Sequence, residues 1–395
     1  MKKGRIFTRS ILLIGFISLF NDISSEMLYP VLPVYLRSIG YTAIWIGLLE
    51  GAAEAMSGFS KMYFGKLSDK HGHRMPFVRL GYFISALSKS ALVLFAQPLW
   101  VLCCRLSDKL GKGIRTGARD AVLSDECSPE HRGKVFGFHR GMDTLGAAIG
   151  PVFALLWLWV NPGSYKTLFL FALFPALTAV GFAYLIKEKD AQPLPGPGAK
   201  KIKSFFGYWK HSSDDFRKLS AGLLFFALFN SSDLFLLLMA RQHGLSDQGL
   251  ILAYIFYNLV YALGSYPFGW IGDKWGMKFS FCTGLLLFAV TYAGMALTTG
   301  PTAVFILFFI YGLYAAATDG VSKAWASKLI PANQSATGLG FLAGCTSIAA
   351  VAASTWTGFV WEFAGASVAL MLSGAGAAVA MAYLYLVPQS RAKDN

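Results

Sequence analysis

The sequence predicts an all-α polytopic membrane protein with twelve transmembrane helices in two pseudo-symmetric six-helix bundles. Its 395 residues are 55% hydrophobic and only 14% charged, whereas a soluble domain carries about 25% charged residues. Apolar runs of about 20 residues, the length that a helix needs to cross a bilayer, recur from one end of the chain to the other. This composition excludes a soluble enzyme, a disordered chain and a β-barrel.

One long polar segment divides the predicted spans into two groups of six. It covers residues 188–218, is rich in Pro and Gly and then basic, and is typical of a linker at the membrane surface. We therefore expect an N-terminal bundle at 1–187, a cytoplasmic linker at 188–218 and a C-terminal bundle at 219–395. The predicted spans are 10–36, 43–64, 76–96, 98–123, 134–159, 166–187, 219–240, 247–268, 279–298, 302–327, 335–360 and 365–387.

The basic residues predict the orientation of these spans. Twenty-four Lys and Arg residues lie in the termini, the linker and every second loop, and three lie in the alternate loops. Because basic loops stay on the cytoplasmic side, both termini and the linker are expected in the cytoplasm. The net charge of +14 is therefore a signal of topology and does not indicate a nucleic-acid partner.

The two halves of the chain repeat each other. Duplicated six-helix halves are typical of secondary transporters, whose substrate site lies where the halves meet. The residues that pair at a single offset of 204 positions are Arg37/Arg241, Gly40/Gly244, Gly65/Gly269, Asp69/Asp273 and Gly72/Gly276.

The turn after the second span carries a recognisable motif. It runs from Gly65 to Arg74 and holds Asp69 and Gly72, and a degenerate copy surrounds Asp273 in the second half. This turn resembles the loop signature of the major facilitator superfamily, G-x-L-(small)-D-(K/R)-x-G-(K/R)-(K/R), with a histidine at the first position of the closing basic pair.

In span 5, Gly146-x-x-x-Gly-Pro resembles the motif of that family's proton antiporters. The start of span 4 resembles R-x-x-Q-G-x-G, with Asp and Lys where Gln and Gly are usual.

The resemblance implies a cytoplasmic latch that holds the outward-facing state and breaks during switching. Asp69, Arg74 and Asp125 are its expected charge cluster, and Arg119 at the end of span 4 is expected to join it. Small residues let helices approach closely and proline bends a helix. The motif residues expected to shape the latch are Gly65, Gly72, Gly146, Gly150, Pro151 and Asp273.

Seventeen ionisable residues lie inside the predicted spans, fifteen of them in the N-terminal half. Each costs a few kcal/mol at bilayer depth unless it is paired or hydrated, so each is a functional candidate. Span 4 is the most informative, because five basic residues spaced by three or four positions share one helix face. They are Arg105, Lys109, Lys112, Arg115 and Arg119.

Two interpretations of this basic stripe remain open. Arg and Lys side chains bind carboxylate and phosphate groups, so the stripe could bind an anionic substrate. Alternatively, Asp22, Glu26 and Asp143 on neighbouring spans neutralise it as a structural network. The candidate substrate-binding residues are Asn21, Arg105, Asp108, Lys109, Lys112, Arg115, Asn230 and Asp319.

Asp22 and Glu26 in span 1 are four residues apart and share a helix face. Two carboxyl groups this close in a low dielectric do not easily both ionise, which is what a proton carrier requires. The alternative for Asp22 and Glu26 is that both form salt bridges to span 4. For Glu50 and Glu54 in span 2, we expect a buried pair with Lys89 that holds spans 2 and 3 together. The candidate proton-coupling residues are Asp22, Glu26, Glu54, Asp143 and Asp233.

These features predict a proton-coupled secondary transporter in the inner or plasma membrane that moves a polar or amphipathic organic anion. The alternative is a proton-driven multidrug efflux antiporter, which the span 5 motif favours and the basic stripe disfavours for cationic drugs. The sequence has no nucleophile–base or metal-ligand pattern and no Walker A motif, so we expect no enzyme activity, cofactor or metal. The expected partners are a small-molecule substrate, protons and the lipid bilayer, without nucleic acid, and the chain is expected to be a monomer.

Overall fold

The computed structural model describes residues 6–29, 31–41, 43–187, 205–298 and 300–386, and within these ranges all regular secondary structure is helical. Two short 3-10 turns, Pro129–His131 and Ala332–Gln334, precede two of the longest helices. The α-helices of the described residues are α1 (Arg9–Leu28), α2 (Leu32–Ser38), α3 (Ala43–His71), α4 (Met75–Ala91), α5 (Pro98–Asp125), α6 (Arg132–Val160), α7 (Tyr165–Phe171), α8 (Leu173–Leu185), α9 (Phe205–His211), α10 (Asp214–Ala227), α11 (Leu234–Gln242), α12 (Asp247–Trp275), α13 (Met277–Leu297), α14 (Pro301–Lys328), α15 (Ser335–Ala364) and α16 (Ala366–Leu386).

Eight helical segments of the described chain are long and apolar enough to cross a membrane. The predicted spans 43–64, 76–96 and 98–123 correspond to α3, α4 and α5, which are helical but do not meet this standard. Helices α3 and α5 carry many of the interior charges, and α4 is 17 residues long. The eight segments are Arg9–Leu28, Pro129–Val160, Tyr165–Leu185, Gly249–Trp275, Met277–Leu297, Pro301–Lys328, Ala332–Ala364 and Ala366–Leu386.

The prediction of one continuous helix at 219–240 is wrong. Helices α10 and α11 are separated by six non-helical residues, Leu228–Asp233. The indole N–H of Trp356 donates to the carbonyl of Leu228 (2.5 Å), and the N–H of Ser232 donates to a serine hydroxyl on α15 (3.1 Å). These two side chains satisfy backbone groups that a helix would otherwise satisfy.

The internal repeat is visible in the backbone of two pairs of turns. Gly40 and Gly244 have φ angles of 96° and 90°, and Gly72 and Gly276 have φ angles of 72° and 103°. Glycine adopts this left-handed conformation without the steric cost that other residues incur. The 204-residue offset in the sequence therefore corresponds to equivalent turns in the backbone.

Two compact units make up the chain. Unit 1 takes in the described residues of 1–128, 138–201 and 332–347, and unit 2 takes in those of 129–137, 202–331 and 348–395. Helices α6 and α15 each contribute to both units. The predicted division at the linker stays a prediction, and residues 188–204 lie outside the described ranges.

Each unit has its own apolar core. In unit 1, Leu36 and Phe169 are fully buried in a cluster of aliphatic and aromatic side chains. In unit 2 the core is more aromatic, because Phe226, Phe288 and Tyr314 pack edge to face with ring centroids 4.9–6.1 Å apart. These cores hold the helices that present the polar side chains described next.

Candidate functional site

Two glycines on α5 bring this helix close to its neighbours in unit 1. A Cβ atom at Gly111 would lie 2.6 Å from the carbonyl oxygen of Gly81 on α4, and a Cβ atom at Gly113 would overlap Ser60 on α3. Larger side chains at these positions would force the helices apart. The close approach places the basic face of α5 within reach of the acidic residues of α3.

The first two cations of the basic stripe are neutralised by α3. The guanidinium of Arg105 donates to Oε1 of Glu50 through Nε (3.0 Å) and Nη2 (2.5 Å). Nζ of Lys109 lies 2.8 Å from Oε2 of Glu54. The expected pairing of Glu50 or Glu54 with Lys89 is therefore wrong. Lys89 instead donates to the hydroxyl of Ser25 on α1 (2.7 Å).

The last cation of the stripe is also neutralised. Nε and Nη2 of Arg119 donate to Oδ1 of Asp120 at 3.0 and 2.9 Å, and both side chains are buried. Within the described chain Arg119 forms no ion pair with Asp69 or Asp125. The structure thus places Arg119 in a pair of its own, apart from the predicted latch cluster.

Lys112 and Arg115 are the two cations of the stripe that form no ion pair with the residues that the structure describes. Lys112 is exposed and makes no hydrogen bond or ion pair with the residues that the structure describes. Arg115 is only 5% exposed, and its Nε and Nη1 have no hydrogen-bond partner. Its guanidinium lies over the ring of Tyr82, 4.4 Å from the centroid. Stacking of this kind orients the group and leaves its N–H donors available to a ligand.

Most of these charged side chains line a cavity of about 170 Å³ inside unit 1. It is large enough for a small polar molecule or several waters. Four helices contribute to its wall, and one side is strongly basic. The charged residues that line it are Asp22, Glu26, Lys89, Arg105, Asp108, Lys109, Lys112 and Arg115.

The acidic side of the cavity comes from α1, with support from α6. Nδ2 of Asn21 donates to Oδ1 of Asp22 (2.9 Å), and the Asp22 carboxyl faces the carboxyl of Asp143 on α6. Two carboxyl groups that face each other in a low dielectric do not easily both ionise. Arg140 lies 2.6 Å from Asp143 and neutralises it. Glu26 lines the cavity and has no hydrogen-bond or ion-pair partner among the described residues.

The glycine motif of α6 explains why these carboxyl groups meet. A Cβ atom at Gly146 would lie 2.5 Å from the carbonyl oxygen of Leu19, and one at Gly150 would lie 2.7 Å from that of Ile23. Helices α1 and α6 are therefore in backbone contact along the turn that carries Asp22. Pro151 follows within α6. The GxxxGP motif, which was predicted to shape the latch, lies against α1 at the cavity instead.

Asp69 caps the start of α15. Its carboxylate accepts hydrogen bonds from the N–H of Ala336 (3.2 Å) and from the N–H and hydroxyl of Thr337 (2.5 and 2.6 Å). Arg74 bridges Asp69 (2.8 Å) and Asp125 (3.0 Å). Burial raises the pKa of Asp69, while Arg74 and Thr337 oppose that rise. The three residues of the predicted charge cluster are thus in contact.

The two copies of the motif share a helix-capping aspartate, and the first copy also depends on its glycines. A Cβ atom at Gly65 would overlap the carbonyl of Ala336, and the φ of Gly72 is 72°. In unit 2, Asp273 accepts from the N–H groups of Gly133 (3.0 Å) and Lys134 (2.8 Å) at the start of α6. The repeated motif therefore caps a helix N-terminus in each unit, where the helix dipole favours a negative charge.

The acidic residues of unit 2 are held by tyrosines. Asp233, which immediately precedes α11, accepts hydrogen bonds from the hydroxyls of Tyr257 and Tyr311. Asp319 accepts one from Tyr261. Asn230 lies in the break between α10 and α11. Asp22, the counterpart expected for Asp233, lies inside a continuous helix, so the two positions differ in backbone as well as in partners.

Several residues of the site had no sequence signal. Tyr82, Ser25 and Ser85 each contact a charged group of the cavity, and Ser85 donates to Asp108. Tyrosine and serine are common in membrane helices, so their type alone does not mark them. Close helix approach at glycines was the usable signal, because it indicates which helices are neighbours.

Comparison with known proteins identifies the family. The family model of the Major Facilitator Superfamily matches residues 14–259 and 219–395. The chain belongs to this superfamily. It is a multi-pass transporter of the plasma membrane, and transporters of this family move small molecules and are not an enzyme class.

Individual proteins resemble the chain to different degrees. An uncharacterized MFS-type transporter of Methanocaldococcus jannaschii is 32% identical over 367 residues, which cover 91% of this chain and 90% of that protein. A multi-drug resistance efflux pump homologue of Lactococcus lactis is 22% identical over 323 residues, covering 79% of this chain and 78% of that protein. The crystal structure of a human organic anion transporter shares the fold, with a TM-score of 0.78, 18% identity and coverage of 95% of this chain and 99% of that one.

Proposed function

We propose that the chain is a secondary active transporter that works by alternating access and moves a polar or amphipathic organic anion, coupled to protons. The observation that carries this proposal is the pair Lys112 and Arg115, two cations at the cavity that form no ion pair in the described chain. A cation at membrane depth is costly unless an anion or water accompanies it. A ligand with a carboxylate or phosphate group would supply that anion. The fold shared with an organic anion transporter is consistent with this substrate class.

The proposal includes twelve membrane crossings with cytoplasmic termini. Helices α3, α4 and α5 then cross the membrane as well, because the charges of α3 and α5 neutralise each other in ion pairs. Helices α10 and α11 together form the seventh crossing. The bundles are 1–187 and 219–395, joined by the cytoplasmic linker 188–218, and the transporter acts as a monomer.

We assign proton coupling to Asp22, Glu26 and Asp143. The Asp22 and Asp143 carboxyls face each other and repel when both are ionised, and Glu26 has no hydrogen-bond or ion-pair partner among the described residues. Glu54 is held by Lys109 and Asp233 by two tyrosines, so their carboxylates are less free to exchange protons. The contacts of Asp69 and Asp273 are the latch that breaks when the transporter changes state.

Ligand-dependent thermal unfolding of the purified protein tests the substrate class. A ligand that binds the folded state raises the unfolding temperature. We expect dicarboxylates and phosphate monoesters to raise it, and neutral analogues of similar size to leave it unchanged. The shift should disappear in Lys112→Gln, whose exposed side chain is not needed for packing. An equal shift with neutral analogues would contradict the proposal.

A proton-driven multidrug antiporter is the second candidate. The GxxxGP motif of α6 and the similarity to an efflux pump homologue favour it. Lipophilic cations would then raise the unfolding temperature more than organic anions do, and Lys112→Gln would strengthen their effect by removing a repulsive charge.

A further inference from the structure

The described charges around the cavity of unit 1 balance. Five basic side chains and three acidic ones line it, and two further carboxylates, Glu50 and Glu54, form ion pairs with two of the basic groups. With every group ionised, these charges cancel. The basic residues are Lys89, Arg105, Lys109, Lys112 and Arg115, and the acidic residues that line the cavity are Asp22, Glu26 and Asp108.

Two of the five acids are free to change their charge. Glu50 and Glu54 are held in ion pairs, and Asp108 is held by the hydroxyl of Ser85 and lies 3.7 Å from a guanidinium nitrogen. Asp22, by contrast, is held by the uncharged amide of Asn21 and by no ion pair in the described chain, and Glu26 has no hydrogen-bond or ion-pair partner there. These two residues also lie one helical turn apart on the same wall.

The charged groups that face Asp22 and Glu26 come from three other helices. Helix α5 presents Lys109 and Lys112, α4 presents Lys89, and α6 presents Asp143. Asp143 is neutralised by its own neighbour on α6. Lys112 and Lys89 are therefore the cations that face both acids without an ion pair in the described chain, and of the two only Lys89 has a hydrogen-bond partner there, the hydroxyl of Ser25.

An anion that entered this neutral cavity would leave it with a net negative charge. An uncompensated charge in a site of low dielectric costs several kcal/mol, so a cation has to bind together with the anion. A proton on Asp22 or Glu26 provides the compensation without occupying space. It also removes the negative charge that Lys112 faces, so that the ammonium group becomes available to the ligand.

We propose that this cavity takes up one proton for each negative charge of its ligand, to a maximum of two, on Asp22 and Glu26. The inference rests on the proposed function and specifies its charge carriers. The ligand is then an anion of charge −1 or −2, because a third negative charge would find no acid left to protonate. Anion binding and proton binding also strengthen each other, since such coupling is reciprocal.

Calorimetric titration of the full-length protein in detergent measures this proton uptake directly. The probes are gluconate, with one carboxylate, and succinate, with two, each titrated near neutral pH in buffers of different ionisation enthalpy. We expect about one proton per bound gluconate and about two per bound succinate. The affinity for succinate should also fall by up to about 100-fold for each unit rise in pH, since two bound protons contribute a factor of ten each.

Two substitutions test which residues take up the protons, and each has a control with the same chemical change at an exposed position. Asp22→Asn and Glu26→Gln should each reduce the uptake with succinate by about one proton. The exposed Asp214→Asn and Glu362→Gln carry the same chemical changes and should leave it unchanged. Binding without proton uptake by the wild-type protein, or binding that requires sodium instead, overturns this inference but leaves the proposed anion transport in place. A failure of both probes to bind overturns the proposed function itself.

Discussion

The two units hold their buried carboxylates in different ways. In unit 1 most of the acids meet Lys or Arg side chains, as in the pair Glu54–Lys109. In unit 2, Asp233 and Asp319 meet tyrosine hydroxyls, and Asp233 receives two of them. Both arrangements satisfy the carboxylate, but only the first balances charge against charge.

This difference shows where exchange with a charged ligand can occur. A competing ion or a proton can break an ion pair. The charged side chain that remains is then uncompensated and needs a new partner. A hydroxyl donor carries no charge, so a tyrosine-bound carboxylate stays in place when charges move nearby. We infer that unit 1 carries the charge chemistry and that the tyrosine-bound acids of unit 2 provide fixed polar contacts.

The largest expected effect is on anion binding in unit 1. Arg115→Ala removes a guanidinium whose donors have no partner in the described chain. Because a hydrogen bond to a charged group is worth about 1.5–3 kcal/mol, we expect anion affinity to fall by about 10–100-fold. Calorimetry with succinate measures this loss. Arg115→Lys keeps the positive charge but lacks the planar set of N–H donors of a guanidinium, so it should recover part of the affinity. Full recovery would show that the charge alone determines anion binding.

The next effect compares the two copies of the motif. Asp69→Ala removes three hydrogen bonds to α15 and the ion pair with Arg74, and should lower the free energy of unfolding by about 2–3 kcal/mol. Asp273→Ala removes two backbone hydrogen bonds and a 3.5 Å contact with Lys328, and should cost about 1 kcal/mol. Chemical unfolding in detergent separates these values. Equal losses would show that neither the hydroxyl of Thr337 nor Arg74 adds stability at the first copy.

A smaller loss of stability is expected when an ion pair of unit 1 is broken on one side. Glu54→Gln leaves Lys109 without its carboxylate. Breaking a buried pair costs about 3–5 kcal/mol, and we expect about 1–2 kcal/mol here because the Glu54 side chain is 32% exposed. The double variant Glu54→Gln/Lys109→Gln should recover part of this loss in thermal unfolding. A double variant less stable than Glu54→Gln would mean that Lys109 stabilises the fold without Glu54.

The smallest effect belongs to unit 2. Tyr257→Phe removes one of the two hydroxyls that hold Asp233 and should cost about 0.5–1.5 kcal/mol of unfolding free energy. Anion affinity and proton uptake should stay at the wild-type values, because no charge changes. A change in proton uptake would show that Asp233 takes part in coupling, which would remove the distinction between the units.

The sequence predicted the composition of the site better than its contacts. The shared face of the α5 cations follows from helical spacing, and the cluster of Asp69, Arg74 and Asp125 follows from a motif. Which acid meets which cation depends on how closely helices approach, and this is decided at glycines such as Gly113. The spacing of residues within one helix does not show which other helix lies beside it. The ion pairs between α5 and α3 were therefore not predicted.

The break between α10 and α11 was missed for a related reason. The run Leu-Phe-Asn precedes polar residues both in α1, which continues, and after α10, which stops. Local sequence is therefore compatible with either backbone. In unit 2 the indole of Trp356 satisfies the carbonyl of Leu228. This contact joins residues far apart in the sequence and stabilises the break. The local sequence around the break therefore does not predict it.

Uptake of labelled succinate into proteoliposomes, driven by a pH difference, measures anion and proton movement together. It tests whether Lys112, exposed at the cavity and without an ion pair in the described chain, binds an anion that moves with protons. The account predicts accumulation by the wild-type protein when the acidic side holds the succinate. It also predicts loss of that accumulation in Lys112→Gln and wild-type rates in the surface control Lys218→Gln. Equal accumulation by the wild type and Lys112→Gln would contradict it.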